Sequence, residues 1–181
     1  MIAAGIDIGF AHSGVAIFDT AGDIPLFCDV INSKKENKKH GLRVADDDVR
    51  RCSEMYRSLR DCLRDYRVKA VFVELPTSGG KSARPISCMA RAQAIIACLV
   101  EETRMAAEWL TPNDVKVAMT GKRDASKEEI QSAVLKLCPA MKKLEPEQTT
   151  LHEHAYDAAA TYFTGKKAGN LYRVCAMTEG L

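Results

Sequence analysis

The chain has 181 residues, 46% of them hydrophobic, and 26 basic against 24 acidic side chains leave a net charge of only +2. A length of that order suits one domain, 1–181, with its own core. The sequence has no run near the roughly 18 uninterrupted apolar residues of a membrane span and no basic-then-apolar leader, so a cytoplasmic protein without membrane attachment is expected. Seven cysteines, an odd number without a Cys-x-x-Cys pair, read as reduced thiols and not as a disulfide framework.

The first element is the stretch AAGIDIGFAHSGVAIFD, residues 3 to 19. Strand side chains alternate faces, so Ile2, Ala4, Ile6 and Ile8 share one face while Ala3, Gly5, Asp7 and Gly9 share the other. Asp7 is then the only polar side chain on its face, and the glycines beside it would admit a ligand or a second backbone close to its carboxylate. A turn at Ala11 to Ser13 leads to a second strand, Gly14 to Phe18, and Ile24 to Ile31 forms a third.

From Val49 the apolar residues Val49, Cys52, Tyr56, Leu59, Cys62 and Tyr66 recur at threes and fours, the spacing of an amphipathic helix, with Asp46, Asp47 and Asp48 at its start. Lys69 to Glu74 is a short apolar strand ending in an acid. Residues 84 to 104 form a nearly all-apolar helix opened by Pro85, and Glu108 to Leu110 is a fifth strand. Ser126 with Glu129 makes a capping box ahead of Ile130, Ala133, Val134 and Leu137, and Pro139 ends that helix. The last helix covers about 151 to 163. A hairpin-first sheet that turns parallel through helical crossovers is the layout of a ribonuclease H-like α/β fold, a mixed five-stranded sheet flanked by helices.

The acids align with that layout. Asp7 lies within the first strand, Glu74 ends the fourth, and the last helix reads LHEHAYDAAAT, which places His154 and Asp157 three apart on the rim of a stripe made by Leu151, Ala155, Ala158 and Tyr162. Glu153 lies beside Asp157. Several carboxylates at one sheet edge repel one another unless cations separate them. Hard divalent ions such as Mg²⁺ take oxygen ligands, and two of them about 3.5–4 Å apart stabilise the attacking and leaving oxygens of a phosphoryl displacement. A histidine on that rim can ligate a metal or accept a proton from water.

Here the sequence resembles the RuvC-like Holliday junction resolvases, most closely the phage-type members. The resemblance runs from Ile2 to about Thr164 on four motifs, GIDIGFAHSGVAIFD, VFVELP, TGKRDASKEEIQSAV and EHAYDAAAT. It implies a homodimeric endonuclease that nicks four-way DNA junctions with Mg²⁺, or Mn²⁺ in its place, as two ions. It also implies that Asp7, Glu74 and Asp157 are catalytic acids and metal ligands, with His154 as fourth ligand or general base and Glu153 in reserve. Lys116 and Lys127 match basic residues near the active site, and Lys122 and Arg123 join them as phosphate contacts. The bacterial members place an aromatic residue three positions after the second acid, where this chain has Thr77. The segment LPTSGGKSARP instead offers Lys81 and Arg84 to a phosphate, the basic stretch Lys34 to Arg43 offers a further arm, and Phe10 is the nearby aromatic that could replace the missing ring. The resemblance thus implies a cutter of branched DNA broader than four-way junctions alone. An RNA-processing nuclease of the YqgF type is the nearer alternative reading; an actin-like ATPase lacks the length for its second domain, and a catalytically dead binding module would not need every acid in place.

Overall fold

In a computed structural model of the chain, residues 1–36, 41–75 and 82–171 are described. Five strands, β1 (Ile2–Asp7), β2 (His12–Asp19), β3 (Ile24–Asn32), β4 (Ala70–Glu74) and β5 (Ala106–Leu110), form one sheet in the order β3-β2-β1-β4-β5. β1 pairs antiparallel with β2 and parallel with β4, β2 pairs antiparallel with β3, and β4 pairs parallel with β5. The hairpin-first mixed sheet expected from the strand order is therefore present. The helices are α1 (Val44–Asp65), α2 (Ala83–Thr103), α3 (Pro112–Thr120), α4 (Lys127–Leu137) and α5 (His152–Ala168).

Period-2 alternation sorts the two cores. Ala4, Ile6, Ile8, Val15, Ile17, Val71 and Val73 pack with Met55 and Leu59 of α1 and Ile95, Ile96 and Leu99 of α2. On the opposite face Ala3, Ala16, Phe18, Ala70 and Phe72 pack with α4 and α5. Helix α5 is buried along its whole middle, Ala155 to Gly165, so it is a central core helix and not the one-sided stripe its spacing suggested. Small residues make this possible. A Cβ on Gly5 would run into the carbonyl oxygen of Ala158, and one on Gly14 into the carbonyl oxygen of His154. The glycines around Asp7 thus admit a second backbone, that of α5.

Three sequence expectations need correction. Helix α1 begins at Val44, two residues before Asp46, and Val49, expected to open its apolar stripe, is exposed; the buried line of its first turns is Asp47, Asp48 and Arg51, followed by Met55, Leu59 and Leu63. The acids are not merely dipole partners at a helix start. Asp48, 3% exposed, is gripped by Arg84 and lies 3.3 Å from Arg91, which satisfies a buried charge that would otherwise be too costly. Second, α3 was not expected at all, although Thr111 and Asp114 form a full capping box with Pro112 in the first turn, the same signature that marked α4. Third, α2 is by length and composition apolar enough to cross a membrane. The interruptions at Arg84 and Arg91 hid this from a count of unbroken apolar residues; in the fold one side of α2, Ala92, Ile95, Ile96 and Leu99, is core. The free thiols among the described residues, Cys28, Cys52, Cys62, Cys88, Cys98 and Cys138, agree with the reduced reading.

Gly14→Ala should lower stability by more than about 2 kcal/mol, because the clash is with backbone and cannot be relieved by a rotamer change. Urea unfolding checks this, and a midpoint equal to wild type would mean that α5 does not seat on β2 as described.

Candidate active site

Asp7 and Glu74 end adjacent parallel strands and are direct register partners, so their side chains leave the same face of the sheet side by side. The β1–β2 turn beyond Asp7 is held rigidly. Ser13 Oγ donates to the Gly9 carbonyl (2.7 Å), Ser33 N donates to the Ala11 carbonyl (3.0 Å), and the buried Arg51 donates through Nη2 to the Phe10 carbonyl (3.2 Å) and through Nε to the Ser33 carbonyl (3.1 Å). From α5, seated on Gly5 and Gly14, come the other two groups. His154 Nδ1 lies 2.8 Å from Asp7 Oδ2. Asp157, 7% exposed, is hydrogen-bonded by the Lys127 ammonium from the first turn of α4, which also reaches Glu153 at 3.2 Å. Thr161, one turn further along α5, donates its hydroxyl hydrogen to the Asp157 carbonyl at 2.8 Å, and its Oγ1 lies 3.4 Å from Glu74 Oε2.

The electrostatics follow from this crowding. Burial, then the charges of Asp7 and Asp157, push the Glu74 carboxyl up to about 8. Burial also raises Asp157, against the pull of Lys127. His154 is raised, chiefly by its hydrogen bond to Asp7 and against its own burial. For Lys127, burial favours the neutral amine, but the bonds to Asp157 and Glu153 outweigh it and the ammonium is held. The Lys127 ammonium thus stands against Asp157 and the His154 ring is bonded to Asp7, and Glu74 is left to keep its proton.

Among the described residues no three acids or histidines converge closely enough to cage an ion as they stand. The donor set nevertheless fits a hard divalent cation: three carboxylates crowded at the rim of one sheet face, with a histidine beside them. Two of the three carboxylates, Asp157 and Asp7, have Lys127 and His154 as hydrogen-bond partners.

The other residues singled out by sequence are placed as follows. Arg84 is spent on Asp48 in a two-pronged ion pair, its Nη2 2.5 Å from Oδ1. Lys122 pairs with Glu129 at 2.7 Å, on the exposed turn that also carries Arg123. Lys116 is half-buried on α3. Thr77 and Lys81, like Lys38 and Lys39 of the basic stretch, lie outside the described residues. Phe10 cannot serve as a stacking ring: it is 6% exposed and the Arg51 guanidinium covers its face at 4.3 Å. Sequence reasoning missed Arg51 and Thr161. Thr161 could have been found, since it lies four residues after Asp157 on the same helix face.

A family model described as crossover junction endodeoxyribonuclease RuvC matches residues 3–161. The chain belongs to the RuvC family. It is accordingly a hydrolase, a Holliday-junction-resolving endonuclease, and its mixed sheet is the ribonuclease H-like fold of that family. The fold agrees with two solved structures of Thermus thermophilus RuvC. One, in complex with Holliday junction substrate, superimposes with a TM-score of 0.70 at 21% identity over 97% of this chain and 96% of that one. The other gives 0.64 at 22% identity over 93% and 97%. No curated protein matches the sequence. The YqgF-type and ATPase alternatives give way to the family match.

With Glu74 protonated up to about 8 in the fold and at the ordinary carboxylate value of 4.5 when unfolded, its contribution to stability is complete below about pH 4.5 and is lost as pH rises through 8. In chelator, wild type should therefore lose stability from pH 5 to pH 9 more steeply than Glu74→Gln, whose side chain has no proton to lose. Denaturant melts at the two pH values measure the difference; equal slopes would place Glu74 in a solvated setting.

Proposed function

We propose that Asp7, Glu74 and Asp157 hold the divalent ions of a junction-cleaving reaction, Mg²⁺ or Mn²⁺ and two in number, with His154 beside them as fourth ligand or general base. The observation that carries this reading is the register pairing of Asp7 with Glu74 beneath α5, where burial and two neighbouring carboxylates keep Glu74 protonated. Bound cations would supply a Lewis acid for the scissile phosphate and charge to replace the Glu74 proton. The chain's own groups do the rest. Asp7 orients the His154 ring through Nδ1, which leaves Nε2 to accept a proton from the attacking water. Lys127, once released from Asp157, brings an ammonium to the developing negative charge on the phosphate. Thr161 Oγ1, 3.4 Å from Glu74 Oε2, places a hydroxyl beside the Glu74 carboxyl.

Two symmetric cuts in a four-way junction need two such sites, and we read the active species as a homodimer. Support comes from α2, whose outer side exposes Ala90, Ala94, Ala97 and Cys98, a small-residue line suited to close approach by a second copy, with the exposed Ile86 at its start. Substrate breadth is read from what is missing. Threonine at 77 offers no π-face, and Phe10 is sealed beneath Arg51. Recognition then leans on cations such as Lys116, Lys122, Arg123 and Lys127, which read backbone position and not bases.

Asp7→Asn and Glu74→Gln should abolish Mg²⁺-dependent cutting of a labelled four-way junction while leaving binding equal or tighter, since each removes a ligand and a charge that repels DNA. His154→Ala should slow cutting by roughly 10²- to 10⁴-fold and flatten its rise with pH, which in wild type runs through the raised histidine value. His154→Asp should restore activity if the residue serves as a ligand. Near wild-type cutting by Asp7→Asn or Glu74→Gln would refute the assignment.

Forks, flaps and three-way junctions should be cut at rates comparable to four-way junctions, with steep loss of binding as salt rises. Strict four-way selectivity with one preferred cutting sequence would count against the breadth argument.

A further inference from the structure

Beside the acids lies a residue with no part in the reading above. His12 opens β2, and its ring stacks on that of His154 with centroids 5.5 Å apart and planes inclined by 28°. Its Nδ1 meets Asn32 Oδ1 at 2.5 Å, and His12 and Asn32 are register partners at the end of the β2–β3 ladder. We propose that His12 is a positioning residue for the cleavage reaction: tethered by Asn32, it supplies the flat wall that fixes the plane in which His154 meets Asp7.

The geometry makes this specific. The backbone on both sides of His12 is pinned, by Ser33 at Ala11 and by the Ser13 hydroxyl at Gly9, so the wall cannot drift. The backbone of His154 is equally fixed, because its carbonyl lies against Gly14. What remains free is rotation of the His154 ring. Its side-chain hydrogen bond among the described residues, to Asp7, sets where Nδ1 lies but not the tilt about that bond. The His154 side chain is about one-third exposed, and His12 covers one of its faces. A stack of two offset rings restricts that tilt without any charge change. His12 is itself exposed and outside both cores, so a packing role does not account for an aromatic residue at this place. The inference rests on the reading of His154 as a working group of the site.

The test is single-turnover cleavage of a labelled four-way junction in Mg²⁺, with enzyme in excess, beside junction affinity measured in chelator. His12→Ala should slow cleavage by about two- to tenfold, the range that an aromatic pair of this kind represents in a rate, with unchanged affinity and an unchanged unfolding midpoint. His12→Phe, which keeps a ring face and discards the nitrogens, should cut nearly as wild type, and Asn32→Ala should fall between. In a His154→Ala background, His12→Ala should cost nothing further, because there is no ring left to hold. The inference is overturned if His12→Ala cuts at the wild-type rate while His154→Ala is slow, if the loss is the same in the His154→Ala background, or if the effect lies in junction affinity, which would make His12 a DNA contact. If His154→Ala itself cuts at the wild-type rate, the reading of His154 falls and this inference with it.

Discussion

Gly5 and Gly14 leave no side chain between the sheet and α5, so the carbonyls of Ala158 and His154 lie against the strand backbone. From that contact the rest of the site follows. A helix at ordinary distance from a sheet would keep its polar groups well away from the strand acids. Here His154 and Asp157 are lowered onto the ends of β1 and β4, where the register has already set Asp7 next to Glu74. The cost of such closeness is three carboxylates in one half-buried place. Within the chain that cost is met in three ways: Lys127 sits on Asp157, His154 on Asp7, and Glu74 keeps its proton. Each of these is a place where an added cation changes the balance, which links the packing of the core helix to the chemistry of phosphate hydrolysis.

Rigidity and adaptability are divided between the two sides of the site. On the strand side, Arg51 reaches from α1 to clamp the β1–β2 turn through the carbonyls of Phe10 and Ser33. The helix behind it is in turn tied to α2 by Asp48, Arg84 and Arg91. On the helical side the groups that face the acids are a lysine with a long side chain and an imidazole, both able to change partners. A fixed frame of acids with exchangeable hydrogen-bond partners above it suits an enzyme that must accept metal ions and a bulky polyanion at the same edge.

Much of this was legible in the sequence, for physical reasons that differ by element. The alternation around Asp7 announced its face, because a lone acid among glycines in an apolar run breaks the period-2 pattern; the capped helix at Ser126 announced itself through its spacing. The acids on separate elements lined up once the strand order was known. What escaped were features that depend on tertiary partners. Asp47 and Asp48 look like solvent-facing helix starters until Arg50, Arg84 and Arg91 are seen around them. Phe10 looks like an available ring until Arg51 is seen on its face, and Arg84, apparently aimed at a phosphate, is already paired. The α5 stripe was read as one-sided because Ala and Thr give little hydrophobic contrast around a helix packed on every side.

The central claim is that carboxylate crowding at Glu74 is resolved by metal binding. Titrating Mn²⁺ into the protein by calorimetry at pH 7, in buffers that differ in ionisation enthalpy, counts the protons that leave when metal binds. The account predicts release of about one proton in wild type and close to none in Glu74→Gln. Metal binding by wild type with no proton release would contradict it.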